Sequence, residues 1–341
     1  MDKKVSVITP CYNGESFIER FLKTILDQSY NNIELIIIDD GSKDNTAQII
    51  NSYKEQYKRR GYNLIYIYQE NGGQASALNK GLKVFSGYYL TWPDSDDFLH
   101  KDSIKNRVEF LERNPQYALV RSSAYMYDEN NLNNVIGYLG KEINPLEDIF
   151  KALITEEVGC TPGRYMVKTT AFLDCIPNRQ IYESRAGQNW QMLLPIAYKY
   201  KCGYLDEELF NYVVRRDSHS HSDENISEEV TLRKLSGHED ILFNTIERII
   251  INNDVEREEY KNLIEEKYAR LRLKIASNYR NKVLLDKNYK ILMSKNKISY
   301  KDRFIYLKGK SKFLSSIFSL KVIFFINIIS LGLFYLIIKI D

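Results

Sequence analysis

The segment Ile33 to Ile38 is apolar at every position but one, which indicates a β-strand that is covered on both faces. Helical spacing of apolar residues precedes it from Ser16 to Gln28, and strand-like and helix-like segments alternate up to about residue 115. This alternation predicts an α/β fold with an open, mostly parallel twisted sheet and helices on both faces. The first four strands are expected at Val5 to Thr9, Ile33 to Ile38, Leu64 to Tyr68 and Tyr88 to Trp92.

A cluster of polar residues follows each of these four strands. Open parallel sheets bind their ligands outside the carboxyl ends of the strands, so the four clusters are expected to meet at one site. The clusters occupy residues 10–15, 39–44, 69–74 and 94–97.

The last cluster, Asp94-Ser95-Asp96-Asp97, places three carboxylates within four positions, where they repel one another. A divalent cation would offset this repulsion, and hard carboxylate oxygens suit Mg²⁺ or Mn²⁺. Mg²⁺ usually takes one or two protein carboxylates and completes its shell with substrate phosphates. We therefore predict a metal–diphosphate site with Asp94 and Asp96 as metal ligands. The alternative is an acidic turn that only caps the helix beginning near Asp102.

Several common motifs are missing from the sequence. No G-x-G-x-x-G follows the first strand, and neither G-x-x-x-x-G-K-[ST] nor G-x-S-x-G occurs, which disfavours Rossmann dehydrogenases, P-loop enzymes and α/β-hydrolases. The net charge of +3 is too small to indicate a nucleic-acid partner. The four cysteines form no C-x-x-C pair, which fits a reducing compartment.

Four ordered segments carry a resemblance to a known family: Val5 to Glu15, Ile36 to Asp44, Asn71 to Gly81 and Asp94 to Asp97. In order and spacing they strongly resemble family 2 glycosyltransferases of the GT-A fold, of the bacterial surface-polysaccharide type. The resemblance implies an inverting transfer of one sugar from a nucleotide-sugar donor, with a UDP-sugar favoured, to a glycan or lipid-linked glycan. It also implies Mn²⁺ or Mg²⁺ as cofactor and surface polysaccharide biosynthesis as the setting.

The resemblance assigns donor binding, position by position, to the ends of the four strands. Asp39 would face the base, whereas Asp40 would either assist it or only cap the turn. Asn71 and Lys80 would approach the ribose or the phosphates, although Lys80 fits a solvated helix face equally well. The donor-binding residues implied in this way are Thr9, Pro10, Tyr12, Asn13, Glu15, Asp39, Asp40, Asn71, Lys80 and Ser95.

The acceptor side departs from the family pattern. An inverting transferase needs a base near the acceptor hydroxyl, and the family generally places it in a Glu-Asp pair before a Trp. This chain has Gln188-Asn189-Trp190 there, and an amide is no general base at neutral pH. Three explanations are open: Glu183 or Asp217 supplies the carboxylate, the acceptor is acidic enough to need none, or the protein is a non-catalytic sugar-nucleotide or glycan-binding partner of an assembly complex. The candidate catalytic residues are Asp94, Asp96, Glu183 and Asn189.

The segment Tyr212 to Ser222 contains two Arg and two His within a short stretch. Close to a diphosphate these side chains could bind phosphate, and His219 is predicted to join Asp94 and Asp96 as a metal ligand. A solvated polar loop is the alternative.

The chain is expected to divide into a GT-A domain (residues 1–225, with a donor half 1–115 and an acceptor half 116–225), a helical extension (226–312) and a hydrophobic, membrane-associating helix (313–341). Val322 to Ile340 has 19 residues and one charge, close to the ~20 that cross a bilayer. Lysines concentrate before it, which predicts that the body lies at the cytoplasmic face of the cell membrane. The alternative is a terminal helix that is buried against the body or lies in the membrane interface. The sequence also leaves open whether the chain forms a homo-oligomer.

Overall fold

The computed structural model describes residues 2–215, 227–251 and 253–311. These fall into two compact units: Met1–Ile226 with Ser236–Lys261, and Ser227–Leu235 with Asn262–Asp341. The predicted domain limits at residues 225 and 312 stay predictions.

The first unit is built on a mixed sheet. Its first four strands, numbered along the chain, are parallel, and they lie side by side in the order β3-β2-β1-β4. Every residue of the first two strands is buried, as the apolar runs predict. Pairing sets Cys11 opposite Asp39 and Asp39 opposite Tyr68, so these strands end side by side. The four strands are β1 (Val5–Cys11), β2 (Ile33–Asp39), β3 (Asn63–Tyr68) and β4 (Tyr89–Thr91).

Five helices accompany these strands. The helix that contains Gly81 packs directly on β1 and β2. The backbone of Gly81 lies so close to Ile8 and Ile38 that a Cβ atom there would collide with both side chains. The helical segment after β2 is divided at Tyr53, whose backbone N–H donates to the carbonyl of Ile50 and whose ring is buried. The helices are α1 (Ile18–Leu26), α2 (Thr46–Ser52), α3 (Lys54–Arg60), α4 (Gln74–Val84) and α5 (Ser103–Arg113).

The remaining strands extend the sheet beyond β4. They are β5 (Phe98–Leu99), β6 (Leu119–Asp128), β7 (Asn131–Leu139), β8 (Tyr165–Lys168) and β9 (Cys202–Val214).

Among the described residues the full order is β3-β2-β1-β4-β8-β6-β9-β5, with β7 paired to β6. The pairings make β6 and β9 run in the same direction as β1 to β4, so their carboxyl ends face the same edge of the sheet. This mixed sheet with flanking helices confirms the predicted α/β fold. The helices of this region are α6 (Phe150–Thr155), α7 (Thr169–Cys175) and α8 (Asn189–Lys199), with a 3-10 turn at Pro162–Arg164.

The rest of the described chain is helical, as the charge-rich sequence with apolar stripes predicts. The second unit has its own small core of Ala269, Leu273, Ala276, Leu285 and Leu292. Across the described ranges, no helix is both long and apolar enough to cross a membrane, and the segment Val322 to Ile340 lies outside those ranges. The helices are α9 (Glu228–Arg248), α10 (Asp254–Tyr279), α11 (Lys282–Ser294) and α12 (Tyr300–Lys310).

Candidate functional site

The loops that follow β1, β2 and β3 lie next to one another at the carboxyl edge of the sheet. The backbone N–H of Asp40 donates to the carbonyl of Cys11 at 2.8 Å, and that of Gln69 donates to the carbonyl of Asp39 at 2.9 Å. The structure therefore brings together three of the four polar clusters through their backbones, as expected for an open α/β sheet.

The loop after β1 is fixed by its own polar side chains. Asn13 adopts a left-handed φ of 48°, which Asn tolerates better than most residues, and its side-chain oxygen accepts from the N–H of Lys43 at 3.0 Å. The carboxylate of Glu15 accepts from the backbone and side-chain N–H groups of Asn45 at 3.1 and 2.7 Å. These two side chains join the first loop to the second, and Tyr12, which precedes Asn13, is 48% exposed.

Thr9 and Pro10 lie within β1 and are buried. The hydroxyl oxygen of Thr9 has no hydrogen-bond partner in the described part of the chain. Thr9 and Pro10 are therefore buried near the end of β1, whereas Tyr12 is exposed in the loop that follows.

Asp39 and Asp40 have separate sets of partners although they are adjacent. The Asp39 carboxylate accepts from the N–H of Ser42 at 2.8 Å and from the hydroxyl of Tyr66 at 2.7 Å. Burial, followed by this hydrogen bond to Asp39, raises the pKa of Tyr66.

Asp40 anchors the loop after β3. Its carboxylate accepts from the side chain of Gln69 at 2.7 Å and from the backbone N–H groups of Gly72 and Gly73, both at 2.8 Å. Asp40 is only 4% exposed. This geometry corresponds to the turn-capping role.

Asn71 and Lys80 occupy different environments. The side-chain oxygen of Asn71 accepts from Arg185 at 3.0 Å, and its carbonyl accepts from the same guanidinium at 3.1 Å, so a segment before α8 lies against this loop. Lys80 is exposed on α4. Within the described ranges, Lys80 has no hydrogen bond or ion pair to another predicted site residue.

Asp97 connects the acidic cluster to β9. Its Oδ1 atom accepts from the backbone N–H of Val213 at 2.8 Å, and the residue is 1% exposed. Burial and then the charges of Asp96 and Asp94 raise the pKa of Asp97 well above its usual range. Ser95 is also buried.

Asp94 faces the acceptor side of the site. The amide nitrogen of Gln188 lies 3.3 Å from its Oδ1 atom. Burial and then the charge of Asp96 raise the pKa of Asp94 to about 7, while the hydrogen bond from Gln188 opposes the shift. Among the described residues, the carboxyl group of Asp94 therefore has no strong positive partner.

Two arginines contact Asp96. The guanidinium of Arg215 lies 3.3 Å from the carboxylate, and Arg20 donates to the backbone carbonyl. Arg215 belongs to the basic segment that the sequence analysis identifies, whereas the sequence analysis does not identify Arg20. The position of Arg20 beside the apolar stripe of α1 is a weak indication of a functional role, because many helices carry Arg at the border of a buried face.

The donor atoms at this position fit the predicted cation. Asp94 and Asp96 offer hard carboxylate oxygens. Burial, and then the charge of Asp96, raise the pKa of Asp94, and a cation would stabilise its charged form. Within the described ranges, no three His, Cys, Asp or Glu side chains are arranged to hold a metal. The two carboxylates thus suit a cation that completes its shell with phosphates, and His219 lies outside the described residues.

The predicted acceptor residues are not all brought together. Gln188 and Asn189 stand at the start of α8, and the side-chain carbonyl oxygen of each is buried without a hydrogen-bond partner among the described residues. Glu183 is exposed and accepts from the side chain of Asn79 at 3.0 Å. Trp190 is 7% exposed and donates to the carbonyl of Leu153, which assigns it to the core.

Comparison with known proteins identifies what the chain is similar to. The model of the family described as "Glycosyl transferase family 2" matches residues 6–176, half of the chain. An uncharacterized glycosyltransferase of Rickettsia conorii is 32% identical over 190 residues, which cover 52% of this chain and 30% of that protein. TuaG of Bacillus subtilis, a glycosyltransferase provisionally assigned to teichuronic acid biosynthesis, is 38% identical over 133 residues, covering 39% of this chain and 52% of TuaG. The chain thus spans about a third to a half of these relatives' lengths.

A solved structure has the same fold. Residues 1–349 of TarS from S. aureus, in complex with UDP-GlcNAc, superpose with a TM-score of 0.58 at 19% identity, covering 90% of this chain and 79% of that one.

Proposed function

Because the chain belongs to glycosyl transferase family 2, we propose that it transfers one sugar from a nucleotide-sugar donor to a glycan or lipid-linked glycan acceptor. We take a UDP-sugar as donor, inversion as the stereochemical course, and surface polysaccharide biosynthesis at the cytoplasmic face of the membrane as the setting. The UDP-GlcNAc in the TarS structure supports the choice of donor, and the assignment of TuaG supports the choice of setting. Inversion follows from the family resemblance, and the cytoplasmic face follows from the lysines before residue 322.

One observation carries the proposal. Asp94 and Asp96 form an acidic pair beside Arg20 and Arg215, at the edge where the loops after β1, β2 and β3 converge. Carboxylates that can hold a cation, next to guanidinium groups, suit a diphosphate. When bound, Mn²⁺ or Mg²⁺ would stabilise the charge that develops on the leaving diphosphate.

The chain's own residues divide the remaining work. Tyr12, together with the loop that Asn13 and Glu15 fix, offers a wall for the nucleoside. Asp39, which the resemblance assigns to the base, ends β2 beside this loop, and its carboxylate accepts from Ser42 and Tyr66. The proton of the acceptor hydroxyl must go to a base, for which Glu183 and the undescribed Asp217 are the candidates.

The test is incubation of the full-length chain with Mn²⁺ and a panel of radiolabelled nucleotide sugars, with membrane extract as acceptor source. Transfer or donor hydrolysis that Asp96→Ala abolishes is the expected result. Donor binding without turnover for every sugar and extract would instead favour a non-catalytic role. Lys58→Ala, at an exposed position of α3 outside the predicted site, serves as the control for a surface substitution.

Membrane association is tested separately. We expect deletion of residues 322–341 to release the protein from the membrane fraction. A full-length protein that stays in the soluble fraction would contradict this part of the proposal.

A further inference from the structure

A row of aromatic rings extends from the acidic cluster onto the hairpin of β6 and β7. The ring centroids of Phe98 and Tyr127 are 5.4 Å apart, those of Tyr127 and Tyr125 are 6.3 Å apart, and those of Tyr125 and Tyr138 are 5.5 Å apart. We call these four residues the aromatic row. Each ring lies within contact range of the next, so the row offers a continuous surface.

The pairing of the strands sets all four rings on one face of the sheet. Phe98 and Tyr125 both pair with Asn211, and Tyr125 also pairs with Tyr138. Directly paired residues point to the same face, and so does Tyr127, two positions beyond Tyr125. The row therefore crosses from β5 to β7 and does not arise from unrelated surface residues.

The row begins at the site itself. Phe98 follows Asp97 in the chain, and Tyr127 pairs with Val213, whose N–H holds the Asp97 carboxylate. Tyr127 also lies near the carboxyl end of β6, the edge at which the donor loops converge. A molecule lying along the row would reach the acidic cluster with one end.

The tyrosines of the aromatic row keep part of their surface exposed to solvent. Tyr138 is 55% exposed, and Tyr125 and Tyr127 are partly exposed. None of the three hydroxyls makes a hydrogen bond within the described ranges, although many other tyrosines here do; those of Tyr53, Tyr66 and Tyr165 are examples. A purely structural row would bury its rings and satisfy its hydroxyls.

We propose that the aromatic row is the binding surface for the acceptor glycan, with sugar rings lying on the tyrosine faces. A sugar presents C–H groups on the faces of its ring and hydroxyls at its rim, and a half-exposed tyrosine offers an apolar face with a hydrogen-bonding tip. The inference rests on the proposed function, because only a transferase needs an acceptor beside its donor site. It assigns acceptor recognition to β6 and β7, apart from the donor loops.

The test measures binding of the full-length chain, in detergent with Mn²⁺ and UDP, to an array of defined bacterial surface oligosaccharides with neutral, amino-sugar and phosphodiester-linked members. We expect at least one member to bind. Tyr138→Ala and Tyr127→Ala should each weaken that binding roughly two- to tenfold, and Tyr138→Phe should retain most of it. Hydrolysis of the donor sugar should be unchanged in all three variants.

Tyr88→Ala is the matched control. Tyr88 is 41% exposed, contacts a neighbouring ring and has Lys3 over its face at 4.2 Å, much as Tyr138 has Lys141 at 5.2 Å. It stands at the amino end of β4, the opposite edge of the sheet from the site, and should leave glycan binding unchanged.

Three results would overturn the inference: no array member binds, bound glycan is insensitive to Tyr138→Ala and Tyr127→Ala, or Tyr88→Ala weakens binding equally. Donor turnover is read separately. A chain that turns over donor but binds no glycan refutes the row alone, whereas failure to bind or turn over any donor refutes the proposed function.

Discussion

The amide nitrogen of Gln188 lies 3.3 Å from the carboxylate of Asp94, 94 residues away in the chain. This contact gives a physical reason for an amide at a position where the family generally has an acid. A carboxylate at residue 188 would face the partly buried carboxylate of Asp94 at a similar distance, and like charges in that setting raise each other's pKa. The amide therefore belongs to the donor side of the site and not only to the acceptor side.

Gln188→Glu should destabilise the metal-free protein. The repulsion with Asp94 should cost about 1–3 kcal/mol in the free energy of unfolding at pH 8, and less at pH 6, where one of the two groups binds a proton. Urea denaturation at the two pH values measures the difference. An equal loss at both would show that shape, and not charge, is responsible.

The contribution of Asp94 to the free energy of unfolding should depend on pH. Its pKa is about 7 in the folded protein and 3.8 unperturbed. Between these values the folded state binds more protons than the unfolded state, so this contribution falls as pH rises and is lowest above pH 7. Asp94→Asn should therefore be more stable than the wild type by about 2–4 kcal/mol at pH 8, and by little near pH 4. A difference that does not change with pH would contradict the shift.

The main role of Asp40 should be to stabilise the fold. Asp40→Ala leaves the side-chain donor of Gln69 and two backbone N–H groups without their acceptor, which should cost about 3–5 kcal/mol. Lys80→Ala, at an exposed position of the adjoining helix, should change stability by less than about 0.5 kcal/mol. Chemical denaturation compares the two, and equal losses would show that the loop does not depend on Asp40.

Glu183→Gln tests the substitute base. If the carboxylate takes the acceptor proton, turnover should fall roughly 10²–10⁴-fold while donor affinity stays the same. The substitution keeps an oxygen that can accept from Asn79, so the local fold is retained. Unchanged turnover would remove Glu183 and leave Asp217 as the remaining candidate.

Arg215→Ala should alter cation binding without nucleotide. Arg215 partly neutralises Asp96 in the metal-free protein, and it must release this carboxylate to a cation. Its removal should tighten Mn²⁺ binding up to about fivefold, the range for partly exposed ion pairs. Electron paramagnetic resonance of free Mn²⁺ gives the affinity, with Arg113→Ala as the control for loss of a surface charge. Weaker binding would mean that Arg215 orders the site.

The sequence predicts the fold of the first 115 residues well because its signals are local. Apolar runs and helical spacing locate β1 to β4 and α1, and parallel pairing then brings the ends of the strands together. The contacts of Gln188 with Asp94 and of Arg20 with Asp96 join distant parts of the chain, and no spacing rule reveals them.

Adjacent residues can also differ in ways that composition hides. Asp39 and Asp40 look equivalent in a turn, but β2 directs one toward Tyr66 and the other toward the loop after β3. The break at Tyr53 likewise depends on tertiary packing, because the local sequence favours one continuous helix.

β7 is hydrogen-bonded to the rest of the sheet only through β6 in the described chain. Its residues can therefore change in number and kind without disturbing the buried strands that hold the donor loops. Such an arrangement makes β7 the exchangeable strand. If the aromatic row binds the acceptor as proposed, replacing β7 with that of a relative offers a route to a new acceptor with the same sugar donor. Divergence among relatives could follow the same path, with donor chemistry inherited and acceptor preference replaced.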